Sequence, residues 1–122
     1  MLKLVAVFVG GGLGSLCRYG LSLGLPASSF PWGTLVANVL ACGLLGMVLG
    51  ASEGDKVPQE WRLLLGTGFC GGFSTFSTFI GESHDLPKTV GAWLTVVYMA
   101  LSLVLGWTAL VAGWWSIRQS RS

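Results

Sequence analysis

The segment at residues 68–79, GFCGGFSTFSTF, combines a glycine pair, four phenylalanines and four hydroxyl side chains in twelve positions. Two kinds of ion chemistry are open to such a segment. Backbone carbonyls freed by a helix break can bind a cation. Hydroxyl donors and the positive edges of aromatic rings can instead bind an anion. The segment therefore predicts an ion site whose preference depends on its surroundings.

Polar residues in two other apolar stretches bear on that preference. Asn38 lies in the middle of one stretch, where its amide either joins two helices or lines an aqueous path. Thr95, Tyr98 and Ser102 follow one another at steps of three and four, which places them on one helical face. With the hydroxyls of Ser77 and Thr78, these donors would suit a small, hard anion.

The composition predicts a membrane protein that carries these groups. The 122 residues are 52% hydrophobic and 10% charged, far from the usual balance of a soluble domain. A bilayer core about 30 Å thick requires roughly 20 apolar residues per helix. We expect one all-α domain, residues 1–122, with four transmembrane helices at about 2–25, 32–51, 62–80 and 90–115. The prolines are all expected between spans: Pro26, Pro31, Pro58 and Pro87.

The third span is expected to be broken near its middle, because the Gly71–Gly72 pair and the hydroxyl residues after it are poor helix formers. The carbonyls of Gly71 and Ser74 would then be free to bind a cation. Arg18, in the first span, either has a function there or extends to the interface. The acidic residues are all expected in loops or at span ends: Glu53, Asp55, Glu60, Glu82 and Asp85. A proton-coupled antiporter is therefore disfavoured.

Other readings of the chain are weaker. The segment at residues 10–19, GGGLGSLCRY, is rich in glycine like a nucleotide-binding loop, but no strand precedes it. We therefore expect no bound nucleotide. A net charge of +2 on few ionisable groups provides no basic patch for nucleic acid. A cleaved signal peptide at the N-terminus is a competing interpretation of the first span. Repeated G-x-x-x-G steps predict close helix packing and association with a second copy.

Three motifs in order, GGGLGSLCRYG, WGTLVANVLACGLLG and GFCGGFSTFSTF, resemble the Fluc/CrcB family of fluoride channels over nearly the whole chain. The resemblance implies a fluoride-selective channel, not an enzyme, in the cell (inner) membrane. Passive efflux of fluoride would lower its cytoplasmic level and give fluoride resistance. It further implies an antiparallel, dual-topology homodimer with two fluoride pathways and a structural, non-transported Na⁺.

The resemblance also assigns roles to residues. It implies Na⁺ ligation by the backbone carbonyls of Gly71 and Ser74, and a vestibule role for Arg18. The implied fluoride pathway comprises Asn38, Phe76, Phe79, Ser77, Thr78, Tyr98 and Ser102. Dual topology agrees only loosely with the positive-inside rule, which favours a single orientation when basic residues gather on one side of the membrane. One side would hold five of them: Lys3, Lys56, Arg62, Arg118 and Arg121.

Two alternatives come from other classes of protein. A small dual-topology exporter of organic cations shares the four-span size but requires a membrane-embedded carboxylate. A purely structural membrane subunit would leave no function for the polar face formed by Thr95, Tyr98 and Ser102 or for the break in the third span.

Overall fold

The computed structural model describes residues 1–25, 30–53 and 57–121, and they form helices joined by short connections. In chain order these helices are α1 (Leu2–Gly24), α2 (Trp32–Ser52), α3, α4 (Phe76–Thr89) and α5 (Gly91–Arg121). The α3 helix consists of three consecutive segments, Gln59–Arg62, Leu63–Cys70 and Gly71–Phe73. Four helical stretches are long and apolar enough to cross a membrane: Leu2–Gly24, Trp32–Ser52, Gln59–Lys88 and Gly91–Ser120. The prediction of an all-α, multi-pass membrane protein is therefore confirmed.

Glycines bring α1 and α3 into backbone contact. A methyl group added at Gly10 would collide with the backbone of Leu64, and one added at Gly14 would collide with that of Phe69. Gly72 lies equally close to the backbone of Gly11. The middle segment of α3, Leu63–Cys70, is a π-helix, whose wider turns run alongside this contact. The first G-x-x-x-G step thus joins two helices of the same chain.

The α2 and α5 helices form the second close pair, again through glycine. Gly46 abuts the backbone of Leu110, and Gly113 abuts that of Gly43. By contrast, Gly20 and Gly24 face open space. Most of the glycine steps that predicted association with a second copy therefore serve packing within the chain.

Two small apolar clusters connect the helices. Ala37, Ala41 and Phe73 form one, which joins α2 to the end of α3. Leu35, Phe79, Leu86 and Tyr98 form the other, which joins α2, α4 and α5. Large apolar side chains cover much of the remaining surface, as expected where lipid or another protein subunit replaces water.

The third span is bent, as predicted, but the break lies just after the expected glycine pair. Gly71 and Gly72 remain helical, and the chain becomes extended at Ser74 (ψ 160°) and Thr75 (φ −151°, ψ 114°). The glycine pair stays helical because Gly72 packs directly on α1, whereas Asn38 binds the extended Thr75 backbone. A packing role thus replaces the predicted breaking role of the glycines.

The prediction that Pro87 and Glu82 lie at or beyond the end of the third span is wrong. The α4 helix continues to Thr89 and includes both residues. Hydropathy falls after Ile80, but Leu86 still packs in the core against α2 and α5. Pro87 is tolerated because it removes one hydrogen bond, to the Ser83 carbonyl, only two residues before the helix ends. Gly91, with φ +90°, then makes the turn into α5.

Charges and tryptophans mark the ends of the helices. Glu53 accepts hydrogen bonds from the Trp114 indole and the Arg118 guanidinium, which ties the end of α2 to the end of α5. Trp32, Trp61, Trp93 and Trp115 are exposed near helix ends, where an interfacial belt is expected. Pro26, Asp55 and Lys56 lie outside the described residues.

Candidate functional site

The break between α3 and α4 is held by one side chain from α2. The Asn38 Nδ2 amide donates to the Thr75 carbonyl at 3.2 Å, and Asn38 Oδ1 accepts from the Thr75 N–H at 2.7 Å. The Thr75 hydroxyl oxygen in turn accepts from the Thr78 N–H at 3.2 Å and caps α4. Asn38 therefore satisfies the N–H and the carbonyl of Thr75, which lies outside any helix and has no helical hydrogen bonds. The interhelical role weighed from sequence is the one that the structure shows for this amide.

The break also frees carbonyls of α3. In an unbroken helix the Thr75 N–H would reach the Gly71 carbonyl, and the Thr78 N–H would reach that of Ser74. Both donors are engaged elsewhere, by Asn38 and by the Thr75 side chain. Gly71 is exposed, and a methyl group added there would meet nothing within 4 Å. These two carbonyls thus have the chemistry of cation ligands, since hard cations take oxygen donors.

Arg18 is bound at the same break. Its Nε donates to the Gly72 carbonyl at 3.2 Å, so it satisfies the carbonyl that lies next to Gly71. The side chain is half-buried between α1 and the break. Arg18 therefore holds α1 against the broken helix, and its predicted vestibule role remains a prediction.

A cleft of about 260 Å³ opens beside the break. Its walls come from three helices, α2, α4 and α5, and the extended residues between α3 and α4. Four of the predicted pathway residues line it, together with Ser74 and Thr75: Asn38, Phe76, Phe79 and Ser102. The cleft is thus the place where the polar groups singled out from sequence meet.

The two phenylalanines of the cleft have different surroundings. Phe76 is 75% exposed, whereas Phe79 is 8% exposed. Their ring centroids lie 6.2 Å apart. The Phe79 ring also lies 5.3 Å from that of Tyr98. Phe79 is consequently part of the core, while Phe76 projects from the surface of the chain.

Two hydroxyls of α5 are buried without a partner on another helix. The Tyr98 hydroxyl and Ser102 Oγ, four residues apart on one helical face, lie close enough to interact with each other, but neither forms a hydrogen bond to any other described residue. Tyr98 itself is fully buried behind Phe79. Thr95, on the same face, is satisfied, because its hydroxyl donates to the Gly91 carbonyl at 3.0 Å. Buried hydroxyls are normally paired, so these two are available to a ligand.

The remaining predicted pathway residues lie outside this cleft. Ser77 and Thr78 are exposed on the first turn of α4 and do not line it. Sequence reasoning also missed a contact one turn beyond Phe79, where the Thr34 hydroxyl donates to Glu82. The spacing of Glu82 three residues after Phe79 signals a shared helical face, but hydropathy had placed Glu82 outside the membrane.

The sequence profile of the family described as CrcB-like protein, Camphor Resistance (CrcB), matches residues 5–114. The chain belongs to the CrcB family. A relative from Pyrococcus horikoshii is 44% identical over 106 residues, which cover 84% of this chain and 86% of the relative. One from Leptospira interrogans is 40% identical over 122 residues, covering 95% and 94%. One from Phocaeicola vulgatus is 38% identical over 118 residues, covering 94% and 98%. All three bear the name "Fluoride-specific ion channel FluC".

In this CrcB protein the matched residues include most of each apolar stretch and the whole of the cleft. The three motifs that carried the resemblance lie on α1, on α2 and across the break between α3 and α4. They meet in two contacts, Arg18 with the Gly72 carbonyl and Asn38 with Thr75. The motifs are thus parts of one structural unit around the break.

Proposed function

We propose that this protein is a fluoride-selective channel that lets fluoride leave the cytoplasm passively and so confers fluoride resistance. The name shared by its relatives supports this function. The observation that carries it in the chain itself is the pair of buried, unpartnered hydroxyls at Tyr98 and Ser102. We assign no catalytic step to the protein.

Hydroxyl donors without a protein acceptor favour an anion as the permeating species. A hydroxyl left unpaired in a buried site costs about 1–3 kcal/mol, which an anion passing along α5 would recover. Ser102 faces the cleft beside Phe76 and Phe79, whose ring edges carry positive partial charge. Fluoride is the smallest halide and the strongest hydrogen-bond acceptor among them. Convergent short donors would therefore compensate its dehydration better than that of chloride.

The pathway in this proposal follows the residues named from sequence. Ser102 and Tyr98 donate to fluoride, and Phe76 and Phe79 present ring edges. Asn38 contributes chiefly by holding the break in place, because both ends of its amide are engaged by Thr75. Ser77 and Thr78 would join the pathway only if it extends over the exposed first turn of α4.

A structural sodium ion fits the freed carbonyls of Gly71 and Ser74. Both carbonyls have lost their helical donors, and unwound backbone carbonyls are known ligands of Na⁺ in membrane proteins. Two carbonyls are too few for a complete coordination shell. A second copy of the chain, related by a twofold axis, would supply two more and so link the sodium proposal to a dimer.

An antiparallel homodimer is the assembly we propose in the cell membrane. Phe76 and Gly71 lie on either side of the break in the chain, and both are exposed among the described residues. A second copy seated there would bury the Phe76 ring and would enclose the cleft from lipid. Dual topology is testable by labelling single cysteines introduced at each end of the molecule from one side of intact cells.

One observation favours a second candidate, a proton-coupled exporter of organic cations. Glu82 is half-buried in α4, within the third apolar stretch, and is a carboxylate of the kind that such exporters require. It accepts a hydrogen bond from Thr34. An exporter would accumulate a quaternary ammonium compound against its gradient when a pH gradient is imposed, whereas a channel would not.

Reconstitution separates these functions. Purified protein in liposomes loaded with potassium fluoride or potassium chloride is treated with valinomycin, and ion-selective electrodes follow the released anion. We expect rapid loss of fluoride and retention of chloride, with protein-free liposomes as the control. Equal release of both anions would exclude selectivity, and release of neither by folded protein would exclude the channel.

A further inference from the structure

Arg62 lies at one end of a groove that leads to the cleft. A hollow of about 310 Å³ is lined by Arg62, Gln59, Ser52 and Thr67 among others. A second hollow of about 310 Å³ shares Gly66 and Thr67 with the first. That second hollow shares Cys42 and Ser74 with the cleft beside the break. The three hollows therefore adjoin one another in a row from the start of α3 to Phe76, and this row is the groove.

The groove begins at the end of the molecule where α2 ends and α3 begins. It ends near the middle of the third span, where the predicted pathway residues gather. Arg62 is the charged side chain of the outermost hollow, whereas the polar side chains that line the other two hollows are uncharged. An ion moving along this groove would thus start at a cationic, hydrophilic end.

Arg62 is a charged side chain for which the described part of the chain provides no counterion. Its Nε is buried without a hydrogen-bond partner among residues 1–25, 30–53 and 57–121, and neither ion pair found there involves it. Arg118, another cation at this end of the molecule, is paired with Glu53. Glu60 lies two positions before Arg62 in the same helix, and residues at that spacing do not face one another. Arg62 therefore lines the outermost hollow with a positive charge that no described residue compensates.

We propose that Arg62 forms an anion-binding site at the mouth of the groove, which collects small monovalent anions before they enter the cleft. This proposal rests on the proposed channel function and adds a capture step to it. In water, a unit positive charge raises the concentration of a monovalent anion about 6 Å away roughly threefold. The enrichment is larger in a partly buried groove, because the effective dielectric constant is lower there. Salt weakens the effect, since the screening length is about 8 Å at physiological ionic strength.

The test compares wild-type protein with Arg62→Gln and Arg62→Lys in fluoride-loaded liposomes. Lys88→Gln is the matched control, because Lys88 is also a cation near a helix end but is exposed and pairs with Asp85. We expect Arg62→Gln to reduce fluoride flux at least threefold at low fluoride concentration and little at saturating concentration. Arg62→Lys should preserve the flux, since it preserves the charge.

Ionic strength provides a second measurement that does not depend on a variant folding. Flux through the wild-type protein at low fluoride should fall as a potassium-free impermeant salt, N-methylglucamine gluconate, is raised on both sides of the membrane from about 20 mM to about 500 mM. The Arg62→Gln protein should show a flatter dependence. Wild-type flux that ignores ionic strength would overturn the proposal, as would Arg62→Gln flux equal to wild type at every fluoride concentration.

These outcomes are distinct from a failure of the proposed function. Wild-type protein that releases no fluoride would overturn both the channel and the capture step. Wild-type protein that releases fluoride while Arg62→Gln behaves like Lys88→Gln would overturn the capture step alone. An equal reduction at low and saturating fluoride would also overturn it, because it would place Arg62 in folding or in the pathway itself.

Discussion

Replacement of Asn38 by alanine tests whether this residue holds the helix break. The substitution removes two hydrogen bonds and leaves the Thr75 N–H and carbonyl unpaired. Hydrogen bonds between membrane helices average about 0.6 kcal/mol and reach about 1.7 kcal/mol. The two together therefore stabilise the fold by about 1–3 kcal/mol, which changes the unfolding equilibrium constant about 5- to 150-fold.

The assay is equilibrium unfolding in mixed detergent micelles. Increasing mole fractions of sodium dodecyl sulfate unfold the protein, and tryptophan fluorescence and far-ultraviolet circular dichroism report the transition. Ser102→Ala is the matched control, since Ser102 lines the same cleft but its hydroxyl has no partner. We expect Asn38→Ala to lower the free energy of unfolding by about 1–3 kcal/mol. Ser102→Ala should leave the free energy of unfolding nearly unchanged and should reduce fluoride flux in the liposome assay.

Two results would contradict this reasoning. An Asn38→Ala protein as stable as wild type would mean that the hydrogen bonds to Thr75 contribute nothing. A Ser102→Ala protein as destabilised as Asn38→Ala would mean that the Ser102 hydroxyl has a structural partner, and the argument that it is free to bind an anion would fail.

Three further predictions are tested by fluoride flux, by equilibrium unfolding or, for sodium, by light scattering. Phe76→Ile should reduce fluoride flux without lowering the free energy of unfolding, because Phe76 is exposed. Phe79→Ile should lower both the flux and the free energy of unfolding, since Phe79 packs on Tyr98. Equal losses of stability in the two variants would contradict this contrast. Exchange of sodium for N-methylglucamine during purification should weaken dimers measured by light scattering, and unchanged dimers would refute the proposal that freed carbonyls hold Na⁺. Gly46→Ala should destabilise the protein by about 1–3 kcal/mol, because its methyl group meets the Leu110 backbone, while Gly20→Ala should not, since Gly20 faces open space. Comparable unfolding of the two glycine variants would refute the close approach of α2 and α5.

Much of the architecture could be predicted from local features of the sequence. Apolar stretches of sufficient length predicted four membrane-spanning helices, because a bilayer requires that length whatever the tertiary contacts are. The Gly71–Gly72 pair and the hydroxyl residues after it predicted a break in the third span, although the glycines themselves stay helical, and the spacing of polar groups on α5 predicted one shared face. These predictions depend on neighbours along the chain, which the sequence displays directly.

The tertiary structure decided how individual polar groups are used. Asn38 was equally suited to a pathway or to a helix contact until Thr75 was found to engage both ends of its amide. Hydropathy placed Glu82 outside the membrane, but core packing of Leu86 extends α4 around it. The same contacts leave Tyr98, Ser102 and Arg62 with unpartnered polar atoms. The sequence determined which donors the chain possesses, whereas only the packing of distant segments determined which donors remain free, because each hydrogen-bond partner comes from another helix.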